Sequence, residues 1–137
     1  MKKEPSEEFS AYKSKAFARF AKKARISDAD LWRTAWLVNK GVIDADLGGG
    51  VIKQRIARHG EGKSGGSRSI ILFKKDDRAV FVFGFEKKDL ANIKPNELEA
   101  FRELAEVLLG YTKAEMTKRV QNGALLNVDE QEERDNG

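Results

Sequence analysis

The chain has 137 residues, the length of one domain, and its 40% apolar content can supply a single modest core. Its formal net charge is +4, 35% of its residues are charged, and no apolar run approaches the roughly 18 residues of a membrane helix, so a helical membrane span is excluded. With no cysteine and one histidine, disulfides and thiolate metal sites are excluded, a zinc centre has too few ligands, and no cofactor is expected.

The opening Met1-Lys2-Lys3-Glu4-Pro5 is polar and leads into no signal-like apolar stretch, so a cytoplasmic protein with no membrane partner is expected. Phe17, Phe20, Ala21 and Ala24 then follow the i, i+3, i+4, i+7 spacing of one helix face. Ser27 and Asp30 form a capping pair ahead of a second helix from about Asp28 to Lys40, and Gly41 supplies a left-handed stop. The two helices read as a hairpin. Trp32 and Trp36, four apart on the second, are read as core anchors rather than platforms for bases.

After Gly48-Gly49-Gly50 the period changes. In Val51 to Arg58, Ile52 and Ile56 share one strand face while Lys53 and Arg55 share the other, a half-buried strand with a cationic side. A glycine-rich basic stretch from His59 to Gly66 leads to strands Arg68–Phe73 and Ala79–Phe85, joined by a polar turn at Lys74–Arg78. Val80-Phe81-Val82-Phe83 is apolar on both faces, as in a central strand. A helix over about Pro95–Gly110 buries Leu98, Phe101, Leu104, Ala105 and Leu108; a short helix at 113–121 and a strand near 124–128 complete the pattern. Residues 1–128 are expected to form one domain, and 129–137 a disordered acidic tail.

Charge divides along the chain. Residues 47–94 carry eleven basic and five acidic side chains, whereas residues 95–137 carry five and ten. A basic middle segment suits a polyanion, because lysine and arginine displace counterions from phosphates, although lysines also protect exposed strand edges. Gly60-Glu61-Gly62-Lys63-Ser64 ends like a phosphate-binding loop, but the first glycine of that pattern falls on Ala57 and a strand follows, not a helix.

Asp44-Ala45-Asp46-Leu47-Gly48-Gly49-Gly50-Val51-Ile52-Lys53-Gln54-Arg55-Ile56-Ala57-Arg58, then Gly62-Lys63-Ser64-Gly65-Gly66 with Arg68, then Phe81-Val82-Phe83-Gly84-Phe85, resembles the RelE/HigB branch of the RelE/ParE toxin superfamily. The resemblance implies an α+β fold in which a small curved antiparallel sheet packs on an N-terminal helical hairpin and a C-terminal helix. It also implies a cognate antitoxin, a small DNA-binding protein, and cleavage of mRNA on the ribosome. Members of that family often carry tyrosine where this chain has Ser67 and Phe83.

Metal-independent RNA cleavage needs a base at the ribose 2′-hydroxyl, cations around the phosphorane and an acid for the leaving 5′-oxygen. Lys53, Arg55 and Arg68 are the expected cations of the reaction; His59, the lone imidazole, is a candidate for proton transfer, though a loop histidine is commonly just solvated, and Tyr111 after the last long helix or Lys53 as a base stay open beside it. Arg58, Lys63, Arg78 and Lys87 are expected to bind the RNA backbone. Two other readings stay open: a non-catalytic RNA or ribosome-binding module, and a gyrase-directed toxin of the same superfamily.

Overall fold

The computed structural model describes residues 9–56, 66–87 and 93–129. In chain order these form β1 (Ser10–Ser14), α1 (Lys15–Ala24), α2 (Asp28–Asn39), β2 (Ala45–Asp46), β3 (Val51–Arg55), β4 (Ser67–Lys74), β5 (Arg78–Glu86), α3 (Pro95–Gly110), α4 (Lys113–Gln121) and β6 (Leu125–Asn127). One open sheet of six strands runs in the order β2-β3-β4-β5-β1-β6. The α+β class agrees with expectation. The sheet, however, is not wholly antiparallel, since β1 lies parallel to β5, with Ser10 opposite Arg78 and Tyr12 opposite Val80. Two helices and three strands separate β1 from β5, so no tight turn imposes the antiparallel sense. Among the described residues, no helix is long and apolar enough to cross a membrane.

Local chemistry sets the helix ends. Ser14 Oγ accepts from Phe17 N at 3.0 Å to start α1. Ser27 and Asp30 exchange the two bonds of a capping box at α2, as their spacing suggests. Gly41, at φ +100°, follows the last turn of α2 in the left-handed conformation that glycine adopts without strain.

Each face of the sheet carries its own core. Phe9, Phe17, Leu31, Val38, Ile52, Ile71 and Phe81 fill the side under α1 and α2, where Trp32 and Trp36 pack their rings 5.8 and 6.0 Å from Phe9. Both tryptophans are therefore core anchors. The opposite side, under α3 and α4, is filled by Tyr12, Val51, Ile70, Leu72, Val80, Ala105 and Met116. Each large apolar side chain fully buried here contributes roughly 1.5–3 kcal/mol relative to exposure.

An irregularity in β5 directs what the sheet presents. Ile70 pairs with Phe83 and the next residue, Ile71, with Phe81, so Val82 is an extra residue between the two pairs. Such a bulge reverses side-chain parity beyond it. Phe81 faces α1 and α2, whereas Phe83 and Phe85 join the α3 side. The carbonyl of Val82 accepts from Ser14 Oγ at 3.3 Å, tying the bulge to the residue that caps α1.

Candidate nucleic-acid interface

Two cross-strand rows lie side by side on the α3 face of the sheet. Arg55, Arg68 and Phe85 are successive partners across β3, β4 and β5 in one row; Lys53, Ile70 and Phe83 form the next. Adjacent strands lie about 4.8 Å apart and same-face residues about 6.6 Å along a strand, so the backbone positions of the three cations lie within about 8 Å of one another. Ile70 is fully buried and forms the floor of this patch. Phe83 is 48% exposed, although its ring lies 6.0 Å from both Phe85 and Phe101. The N-terminal half of α3 thus walls one side through Phe101, with Ile93 and Leu98 packed into the same cluster.

The glycines of the sequence motif serve packing. Gly48, Gly49 and Gly50 all have positive φ between β2 and β3, and a Cβ on Gly50 would lie 2.8 Å from Leu109 Cδ1. The tight turn lets α3 approach, and Arg102 of that helix donates to the Leu47 carbonyl. On the far side of β5, a Cβ on Gly84 would come within 2.2 Å of Phe20 Cδ2, so glycine there admits the α1 ring. Asp44 fixes the end of the cationic strand. Its Oδ2 accepts from Arg55 N at 2.7 Å, while Gln54 Oε1 accepts from Asp44 N at 2.9 Å.

The expected site residues fall into three groups. Lys53, Arg55 and Arg68 share one face, with Arg55 and Arg68 directly opposite. Lys87, exposed, follows β5 by one residue and donates from its backbone to the Gly66 carbonyl, just before the start of β4. Arg58, His59 and Lys63 lie outside the described residues.

Arg78 does not fit its expected role as an RNA contact. Only 2% exposed, it donates from Nε to Asp77 at 2.7 Å and from Nη1 to the Leu108 carbonyl at 2.8 Å, binding the last turns of α3 to the β4–β5 turn. Burial would raise the Asp77 carboxyl, but the Arg78 hydrogen bond and charge, with Lys113 and Lys74, hold it below its ordinary value. The charge of Arg78 was legible in the sequence, but its burial was not.

Ser67 also lies away from the patch. It is buried on the opposite face from Arg68, with its hydroxyl 3.3 Å from the Glu86 carboxylate, so the lack of a tyrosine there removes no hydroxyl from this face. Phe83 lies at its centre. Sequence reasoning passed over both its exposure and the structural roles of Arg102 and Asp44; the available signals were the apolar run in β5 and the inclusion of Asp44 in the motif.

These features describe a small α+β protein whose sheet presents arginine, lysine and one exposed aromatic side chain, Phe83, on one face, a chemistry suited to unpaired nucleic acid. The family model described as the RelE toxin of the RelE / RelB toxin–antitoxin system matches residues 10–128, and the chain belongs to this family. It is a toxin of the toxin–antitoxin class, and such toxins are partnered by antitoxins. No curated protein gives a match to the chain.

Proposed function

We propose that the protein is a ribosome-dependent mRNA endonuclease whose cutting face is the patch of Lys53, Arg55, Arg68 and Phe83. The observation that carries this reading is the direct opposition of Arg55 and Arg68, with Lys53 one pair further along the same face. Guanidinium groups on two adjacent strands can hold the oxygens of one bound phosphate from both sides. Phe83 offers a ring on which an unpaired base stacks beside that phosphate.

In the reaction, the ribose 2′-oxygen attacks the adjacent phosphorus and the bond to the 5′-oxygen breaks, leaving a 2′,3′-cyclic phosphate and a 5′-hydroxyl. Arg55, Arg68 and Lys53 hold the negative charge that builds on the non-bridging oxygens. His59 moves the proton, because its imidazole is the only side chain here whose ordinary pKa lies near neutrality. Arg58, Lys63 and Lys87 follow the flanking phosphates. A small DNA-binding antitoxin silences the protein in the cytoplasm by covering this face with an acidic or amphipathic segment.

Phe83 favours one alternative, in which the face binds RNA without cutting it, since its ring has no hydroxyl to transfer a proton. Incubation with ribosomes translating a defined message, followed by mapping of new 5′ ends, separates the two. Cleavage within the ribosome-covered codons supports the nuclease; bound but intact message supports the binding module.

A further inference from the structure

We infer that the outer face of α1 is a second RNA-binding surface, which grips the phosphate backbone of double-helical RNA on the side of the molecule away from the cutting patch. Lys15, Arg19, Lys22 and Lys23 all point outward from this helix, and Arg25 closes it. Lys15, Arg19 and Lys22 stand at i, i+4 and i+7, and Lys23 at i+8, so they form one stripe about 12 Å long at 1.5 Å rise per residue. The opposite side of α1 lays Phe17 and Phe20 against Phe81 and Gly84. The stripe and the patch containing Arg68 are thus on opposite sides of the sheet.

Helix stability does not account for this stripe. Cations suit the last turn of a helix, which covers Lys22, Lys23 and Arg25, but Lys15 lies in the first turn, where the macrodipole opposes a cation and no acidic residue is present. Lys15–Arg19 and Arg19–Lys23 are like-charge pairs at i, i+4, each unfavourable by a few tenths of a kcal/mol. Arg25 holds φ 60°, a conformation that favours glycine. None of the five forms an ion pair among the described residues, whereas Lys13, Arg33, Lys74, Arg78, Arg102 and Lys113 all do.

The neighbours of the charges define the ligand. Of the large apolar side chains exposed among the described residues, none lies on α1; they are Val42, Phe83, Leu104, Val107 and Leu126. Proteins that hold an unpaired strand commonly supply rings for stacking, and helices that insert into a membrane surface carry an apolar face; the outer side of α1 offers neither. A rigid row of point charges without such groups matches the regular phosphates of an RNA double helix, which are recognised by shape and charge. On the proposed reading of the protein, the natural ligand is a paired segment of ribosomal RNA; only that identity rests on the nuclease reading.

The test compares the full-length protein with Lys15→Gln/Arg19→Gln/Lys22→Gln/Lys23→Gln, keeping helix propensity while removing charge. Lys74→Gln/Lys75→Gln in the β4–β5 turn serves as a control for net charge. Binding to a blunt RNA duplex of 16 base pairs is followed by fluorescence anisotropy across a salt series, and thermal melting checks folding. The quadruple variant is expected to lose at least about tenfold in duplex affinity, with a salt dependence flatter by about three to four phosphates. The control should change little. Cleavage at saturating ribosome should stay within about twofold of wild type, with more ribosome needed to reach saturation.

Equal duplex affinity and salt dependence in wild type and quadruple variant would overturn the proposal, as would no duplex binding by the wild type. Should the quadruple variant bind duplex normally and lose only the antitoxin, α1 is a protein-docking face and the proposal falls. If the wild type cuts no message but the variant still loses duplex binding, the nuclease reading fails and the second surface stands. A quadruple variant that melts early is replaced by Lys15→Gln/Arg19→Gln, for which a slope change of about two is expected.

Discussion

Arg55 and Arg68 are direct cross-strand partners, placing two guanidinium-bearing side chains opposite each other on one face of the sheet. A guanidinium fork can hold two phosphate oxygens, so the two together can grip one phosphate from both sides. If both hold the same phosphate in the transition state, Arg68→Ala should lower the single-turnover rate at saturating ribosome by about 100-fold or more while changing affinity less. Removing Arg55 as well should add less than the product of the single effects, because a one-sided clamp has already lost its geometry. Single-turnover cleavage by the two single variants and the double measures this.

Lys87 makes the contrasting case. Exposed at the end of β5, it acts as a point charge along the RNA. Lys87→Ala should flatten the salt dependence of ribosome or RNA binding by about one phosphate and leave the saturated cleavage rate near wild type. A salt titration combined with rates at saturation distinguishes binding from chemistry.

Phe83 should contribute through its ring. Phe83→Ala is expected to weaken binding to unpaired RNA by about tenfold, in the range of one stacked base, and to leave duplex binding unchanged. Phe83→Tyr should keep the affinity, since it keeps the ring. Anisotropy with a short unpaired oligonucleotide and with a duplex of the same sequence checks both outcomes.

Gly84→Ala tests how the aromatic face is positioned. The added methyl would sit 2.2 Å from Phe20 Cδ2, so either the ring or β5 must move. A loss of about 2 kcal/mol in urea unfolding is expected from such overpacking. Phe20→Ala in the same chain should make the Gly84→Ala change less harmful than it is alone, since the clash partner is gone.

Asp77 and Arg78 give the fold a pH dependence. The folded-state pKa of Asp77 lies below its ordinary value of 3.8, so its ionised form stabilises the fold above that value. That contribution fades as pH falls below about 4, through the lowered pKa. Wild type should exceed Asp77→Asn in stability at pH 6, and the gap should close towards pH 2–3 in urea titrations. Arg78→Ala should destabilise by about 3 kcal/mol or more by stripping the partner from Asp77 and the donor from the Leu108 carbonyl.

Much of this was legible in the sequence because periodicity and capping act locally. The capping box at Ser27, the alternation that sets Lys53 and Arg55 on one side of β3, and the stop at Gly41 each depend on residues a few positions apart. β1 was missed because Ser10–Ser14 is short and largely polar, and becomes a strand only by pairing with β5 and β6. The bulge at Val82 is equally non-local: the run from Val80 to Phe83 is apolar on both faces but carries no mark of where parity changes, so the side to which Phe83 turns could not be read from it. Arg78 was misplaced for a related reason. A basic residue in a polar turn reads as solvated, and its burial depends on α3 arriving from a later part of the chain.

Mapping of 5′ ends on a defined message decides whether this sheet face cuts message on the ribosome. Ribosomes translating one open reading frame are incubated with wild type and with Arg68→Ala under conditions that saturate both. Wild type should give new ends within the ribosome-covered codons, with upstream fragments ending in a 2′,3′-cyclic phosphate, and Arg68→Ala should accumulate them about 100-fold more slowly. Wild-type protein that binds the ribosomes and leaves the message intact, or an Arg68→Ala variant that cuts at the wild-type rate, would contradict cleavage at this face.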